Sequence, residues 1–195
     1  MESIQDRENK LRQIKDEVVV CKKCSLYKTR RLPVIGKGNH QANIVFVGEA
    51  PGFQEDRTGR PFCGSAGKVL DYLLMGIGIK REDIYITNIL KCRPPGNRDP
   101  KEEEIRACAP YLERQIEIIK PNIICSLGRF SMAFLMKKFG FEKEITSISN
   151  LHGKVFKSKE GIILIPFYHP AVAVYNPKMK EYLKKDFQVL KKFLF

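Results

Sequence analysis

No run of apolar residues among these 195 approaches the roughly 20 needed to cross a bilayer, so a membrane-spanning helix is not expected. The opening residues MESIQDRENK are too charged for a secretory signal, and the chain is read as cytosolic, with no membrane partner. Internal repeats and low-complexity tracts are missing as well, which excludes a solenoid. Tryptophan is absent, yet 12 Phe and 7 Tyr within a 43% hydrophobic composition are enough to fill a core, which excludes wholesale disorder. Acidic residues are scarce: 22 Asp and Glu face 35 Lys and Arg, leaving a formal charge of +13. That imbalance makes a polyanion the natural partner, nucleic acid before a membrane surface. The length excludes a large two-domain enzyme, and residues 1–195 are read as one domain.

The shortage of acid is sharpest from Val18 to Gly48, where no Asp or Glu occurs while Lys22, Lys23, Lys28, Arg30, Arg31 and Lys37 add six positive charges. Before this stretch, Ile4, Leu11, Ile14 and Val18 form an apolar stripe that predicts a surface helix within residues 1–20. Four runs, NIVFVG (43–48), DIYITNIL (83–90), NIICSLG (122–128) and GIILIPF (161–167), are almost continuously apolar and bounded by Gly, Pro or Asn. They read as buried parallel strands. Helical stripes fall between them: Val69, Leu70, Leu73, Leu74 and Ile77, then Ile105, Cys108, Leu112, Ile116 and Ile119. Asp99, Pro100 and Glu102 suit the start of the second, as cap, first turn and capping box, and Pro110 predicts a kink inside it. A third helix is expected over 129–139. The last is expected from Met179 to the end, with Tyr182, Leu183, Phe187, Leu190 and Leu194 on its apolar face. Strands alternating with helices give an α/β fold: three layers, α/β/α, around a central sheet of about four parallel strands. The stretch from Glu49 to Ser65 reads as one long irregular loop, and such loops are usually functional.

Six cysteines in a reducing compartment favour metal ligands over a disulfide framework. Cys21 and Cys24 form a CxxC pair, whose thiolates converge across a tight turn, while Cys92 ends the second strand and Cys108 lies on the following helix. All four fall within residues 21–108, and four thiolates suit either tetrahedral Zn or an iron-sulfur cluster. The plainer reading makes Cys92 and Cys108 small buried hydrophobes. Cys125 sits in an apolar strand and is read as core. Parallel sheets gather ligand chemistry beyond the carboxyl ends of their strands. Here those ends deliver Glu49 in GEAPG, Asn88, and His169 in FYHPAVAV: a carboxylate, an amide and an imidazole at one edge.

GEAPGFQED, GRPFCGSAG, YITNILKCRPPGNR and YHPA, together with CKKC and its spacing to Cys92 and Cys108, resemble the family 4 uracil-DNA glycosylases, the thermostable iron-sulfur type of archaea and bacteria. The likeness runs in order from about Val20 to Tyr175. It implies the glycosylase-like α/β/α fold and a monofunctional DNA glycosylase of the prokaryotic cytosol and nucleoid. Such an enzyme removes uracil from single- or double-stranded DNA as the first step of base-excision repair. It also implies a structural 4Fe-4S cluster held by Cys21, Cys24, Cys92 and Cys108.

By the same resemblance, Phe62 stacks on the flipped uracil, Asn88 reads its edge, His169 donates to O2, and the backbone around Glu49, Ala50 and Pro51 frames the pocket. Other uracil glycosylase families carry a water-activating Asp or Asn where this chain has Ala50, so water activation is assigned to Glu55 first and Asn97 second. Glu49 is expected to shape the pocket and exclude thymine. DNA contacts are expected from Ser65 at a helix start, from Arg93, Arg98 and Arg129, and from Val174 and Tyr175 as a wedge in the base stack. Cys63 is read as a filler beside the pocket. The closing QVLKKFLF loosely suits a sliding-clamp peptide, although Lys191 occupies an expected aliphatic position, so it is read mainly as packing helix. Two rival readings stand: a non-enzymatic Zn or iron-sulfur nucleic-acid module, and a glycosylase with a broader range of deaminated bases.

Overall fold

The central strands bury side chains on both faces, which is why their sequences lack the alternation of a half-exposed sheet. A computed structural model, describing residues 3–193, makes this explicit. In β2 (Ile44–Gly48), Val45 and Val47 join one core while Ile44 and Phe46 join the other. β3 (Tyr85–Asn88), β4 (Ile123–Leu127) and β6 (Ile163–Phe167) divide their side chains in the same way. Two short edge strands complete the sheet, β1 (Lys37–Gly38) and β5 (Phe156–Lys157), in the order β1-β3-β2-β4-β6-β5. The four inner strands run parallel and both edge strands run antiparallel to their neighbours.

On one face lie α1 (Ile4–Val20), α4 (Glu102–Ile119) and α5 (Arg129–Lys138), packing Leu11, Ile14, Val18, Leu112, Ile116 and Leu135 against the sheet. The other face is covered by α3 (Ser65–Met75) and α8 (Met179–Phe187), which bring Leu70, Leu73, Leu74, Leu183 and Phe187. Three shorter helices, α2 (Phe53–Thr58), α6 (Ile148–Leu151) and α7 (Val172–Tyr175), occupy the loops. The architecture is the three-layer α/β/α arrangement read from sequence, with four parallel strands and two antiparallel edges that the periodicity did not reveal.

Several local expectations change. The stretch after β2 is not one irregular loop, because Phe53–Thr58 coil into α2 and end on Gly59 in the left-handed region (φ 69°). The first cap of α4 is Lys101 rather than Asp99; Glu104 accepts from the Lys101 N–H at 2.9 Å, and Asp99 instead pairs with Arg129. α4 continues across Pro110 as one helix. The C-terminal helix ends at Phe187 and tightens into a 3₁₀ segment, Gln188–Phe193, in which Leu190 is buried and Val189 and Phe193 pack on the core. That packing favours the core-helix reading over a clamp peptide. Leu194 and Phe195 lie outside the described residues. Among the described residues no helix is long and apolar enough to cross a membrane.

Candidate active site

The register of the sheet builds the site. Gly48 at the end of β2 is the Cα partner of Asn88 at the end of β3, and His169 follows β6 two strands away, so three strand ends open onto one edge. There a cavity of about 310 Å³ is lined by Glu49, Ala50, Pro51, Glu55, Phe62, Asn88, Asn97 and His169. Every residue expected to bind uracil or to act on it reaches this cavity. Gly52, Ala66, Pro94 and Ala171 line it too, small residues whose sequence signal was only that of a turn or helix start.

Asn88 is almost wholly buried, and its Oδ1 has no hydrogen-bond partner among the described residues. An orphaned acceptor of this kind costs roughly 1–3 kcal/mol, so its presence beside a cavity is a feature to explain. It sits tightly against β2: a Cβ on Gly48 would lie 2.3 Å from Oδ1 and 2.8 Å from two ring carbons of Phe62. Only glycine at 48 leaves room for both side chains.

Across from them, the His169 ring lies 5.5 Å from that of Phe62, centroid to centroid. Its Nδ1 accepts from the Ala171 N–H at 3.2 Å, which leaves the proton of the neutral ring on Nε2. Burial holds the imidazole pKa down to about 4, with Glu55 opposing, so at neutral pH the ring is an uncharged donor. Two carboxyl groups share the cavity. Glu55, in α2, accepts through Oε1 from the backbone N–H groups of Cys63 and Gly64, both at 2.9 Å, and so closes the N-terminus of α3. Glu49 is half-buried; burial, aided by Asp99 and opposed by Arg129, pushes it up to about 7. Asn97, in the left-handed region (φ 55°), accepts through Oδ1 from Arg93 Nε at 2.7 Å.

The basic side chains at the mouth are paired. Arg93 lies over the Phe53 ring at 5.2 Å, Arg98 grips Glu104 with both terminal nitrogens, and Arg129 holds Asp99. Arg98 and Tyr175 line the cavity, while Ser65 begins α3 on the exposed side. Val174 is 43% exposed and Tyr175 87%, on the short α7 beside the cavity. The Cys63 thiol does not face the cavity. It meets Thr58 Oγ1 at 3.2 Å and lines a neighbouring groove with Arg60, Lys68, Asp71 and Arg81.

The four cysteines expected to act together do share one cavity. Cys21, Cys24, Cys92 and Cys108 line it, walled by Val18, Leu26, Leu90 and Tyr111. Arg30 donates to Cys92 Sγ at 3.1 Å and the Lys91 backbone N–H to Cys108 Sγ at 3.2 Å. Burial raises the thiols of Cys24 and Cys92 and pushes Cys108 up to about 12. Among the described residues no three His, Cys, Asp or Glu side chains are arranged to hold a single metal ion. One residue before Cys92, the fully buried Lys91 sends its Nζ back toward the base of the site. It donates to Thr87 Oγ1 (2.7 Å), the Asn88 carbonyl (2.8 Å) and Gln115 Oε1 (2.7 Å). Sequence reasoning had no signal for this lysine, which reads as one more surface cation.

Comparison with known proteins agrees with this geometry. The Uracil DNA glycosylase superfamily matches residues 35–191. A type-4 uracil-DNA glycosylase of Sulfurisphaera tokodaii is 50% identical over 185 residues, covering 93% of this chain and 83% of that protein. That of Archaeoglobus fulgidus is 48% identical over 96% of this chain and 92% of its own length. That of Thermotoga maritima is 40% identical over 96% of each. With its α/β/α frame, its strand-end cavity and these relatives, the chain belongs to the uracil DNA glycosylase superfamily, and within it to the type-4 uracil-DNA glycosylases.

Proposed function

We propose that this protein hydrolyses the N-glycosidic bond of deoxyuridine in DNA, releasing uracil and leaving an abasic site for base-excision repair. The observation that carries the reading is Asn88, a buried amide that lines a cavity walled by an aromatic ring and a neutral imidazole donor, and whose Oδ1 has no hydrogen-bond partner among the described residues. Uracil satisfies that acceptor with N3–H and presents O4 to the amide NH₂. Cytosine offers an acceptor at N3 and a donor at the exocyclic amine, so both contacts would be lost or repulsive. Leaving such buried groups unpaired is how a site rejects a near-isostere strongly.

The base must leave the stack to reach this edge, at a cost of a few kcal/mol for a paired strand and less for an unpaired one. The +13 charge assists approach to DNA. Arg93, Arg98, Arg129 and Ser65 surround the mouth as phosphate contacts. Val174 and Tyr175 project from α7 to fill the gap that flipping leaves. Phe62 then stacks on the extruded base.

As the glycosidic bond breaks, the sugar becomes cationic and the departing uracil anionic, with charge on O2. His169 answers it through Nε2–H. The Ala171 N–H fixes that tautomer in advance, so no reorganisation is needed at the moment of bond cleavage. Glu49, with its pKa raised to about 7, is substantially protonated at neutral pH and so does not repel the leaving anion. Water for C1′ is assigned to Glu55, whose Oε1 is anchored by two backbone donors while Oε2 remains for a solvent molecule. Asn97 is the second choice, because its Oδ1 already accepts from Arg93.

The four thiols support a 4Fe-4S cluster. They line one apolar cavity, the donor set is all sulfur, and Arg30 and the Lys91 backbone supply N–H donors to two of the sulfurs. Bound there, the cluster would tie the end of α1, the CxxC turn, the exit of β3 and α4 into one frame. The test is incubation of anaerobically purified protein with labelled oligonucleotides carrying one uracil, cytosine, thymine or hypoxanthine, followed by alkaline cleavage at abasic sites. Cleavage at uracil alone supports the reading; cleavage at hypoxanthine as well widens the base range, and none at uracil overturns it.

A further inference from the structure

Among the described residues, Phe62 is one of three non-glycine residues in the left-handed backbone region, with φ of 50°. A bulky residue is held there only when its surroundings impose it, and such positions concentrate at functional sites. The surroundings are specific. The positive φ sends the ring across Gly48 toward His169 and turns the Phe62 carbonyl onto α3, where a Cβ on Gly67 would lie 1.9 Å from its oxygen. The oxygen is met there by Arg81. From the turn Arg81–Asp83 that precedes β3, its Nη2 donates to the carbonyls of Pro61 (2.7 Å) and Phe62 (2.9 Å), and Nη1 donates to Asp71 of α3.

We propose that Arg81, braced by Asp71, is a positioning residue that locks the Pro61-Phe62 turn so that the Phe62 ring lies where the flipped base must stack. The inference rests on the uracil-stacking role given to Phe62 above. Arg81 does not line the base cavity; it stands in the neighbouring groove, on the carbonyl side of the turn. Its planar fork satisfies two adjacent carbonyls and a carboxylate at once, a geometry that a lysine ammonium does not reproduce. Without the fork, the Phe62 peptide can rotate out of the left-handed region and carry the ring away from His169. Arg81 lines an open groove and about a third of its side chain is exposed, so its removal widens that groove rather than sealing a new cavity in the core.

The test is a double-mutant cycle on single-turnover uracil release. Arg81→Ala should slow release by about 10- to 100-fold, the scale of a small misplacement at a reacting site. In a Phe62→Ala background the same change should cost less than about twofold, because no ring remains to be positioned. Arg81→Lys should recover only a minor part of the loss; if Arg81→Ala does not fold, Arg81→Lys is carried through the same cycle. Equal losses in both backgrounds would mark Arg81 as a support of the fold alone and overturn the proposal, as would full activity of Arg81→Ala. Wild-type protein that releases no uracil would instead overturn the functional reading, and this proposal with it.

Discussion

Changing Gly48 to Ala adds one methyl group at the point where the Asn88 amide and the Phe62 ring both press on β2. Glycine is not needed there for its backbone freedom, since the residue ends an ordinary parallel strand. The effect is therefore steric. The new Cβ would lie 2.3 Å from Asn88 Oδ1 and 2.8 Å from two Phe62 ring carbons, whereas ordinary contact begins near 3.4 Å. β2 is hydrogen-bonded on both sides and cannot retreat, so Oδ1 must move by about 1 Å and the ring by about half that. Overpacking of this kind costs about 1–3 kcal/mol, or a fall in Tm of roughly 2–12 °C for a chain of this size. An error of about 1 Å at a reacting site costs on the order of 100-fold in rate. Single-turnover release of uracil from a labelled oligonucleotide should therefore drop about 100-fold while the variant still folds and melts cooperatively. Adding Phe62→Leu, which removes the ring contact but leaves the closer one with Asn88 Oδ1, should recover at most part of the lost Tm and little of the rate. A Gly48→Ala variant that turns over uracil at the wild-type rate would refute the placement of the base against Asn88 and Phe62.

Glu55→Ala should suppress turnover far more than binding of uracil-DNA, measured by filter binding at matched salt; near-normal turnover would remove Glu55 from the mechanism. Its lost bonds to the Cys63 and Gly64 N–H groups should also lower Tm. For His169, whose folded pKa of about 4 lies below the usual 6.5, the unfolded chain takes the proton first as pH falls. Stability should therefore decline from about pH 6.5 toward pH 4 by at most about 3 kcal/mol, and His169→Gln should flatten that part of a denaturation-against-pH curve. Anaerobic protein should carry about four iron and four sulfide per chain with broad visible absorbance, and Cys108→Ser should lose both; a colourless protein holding only zinc would refute the cluster. Asp99→Asn should free Arg129 for phosphate, steepening the salt dependence of DNA binding by about one unit of log–log slope.

The parallel core was legible because its strands bury both faces and so write themselves as apolar runs. The edges were not: Lys37–Gly38 and Phe156–Lys157 are two residues each, too short for any period. Strand-end chemistry was legible too, since Glu49 follows, Asn88 lies near the end of, and His169 comes two residues after runs that had already declared themselves strands. Partners across the fold were invisible. Nothing local distinguishes Arg129, tied to Asp99, from Lys68 on an open face, or Lys91, fully buried, from its solvated neighbours in composition. Asp99 looked like a helix cap because Asp before Pro favours one, but Arg129 competed for its carboxylate and Lys101 took the cap position. Arg81 gave no signal at all, since the turn it holds comes from residues 20 positions earlier.

Lys91 joins two places that are usually considered separately. Asn88 and Cys92 are four residues apart on one strand exit, and the buried lysine between them is fastened through Nζ to the Asn88 carbonyl while its own backbone N–H reaches Cys108. Loss of the proposed cluster from Cys92 and Cys108 would then be felt at the Asn88 backbone within a single turn of chain. With the proposed cluster bound, colour and catalysis should fade together in air, because Cys92 and Asn88 stand at opposite ends of the same short lever.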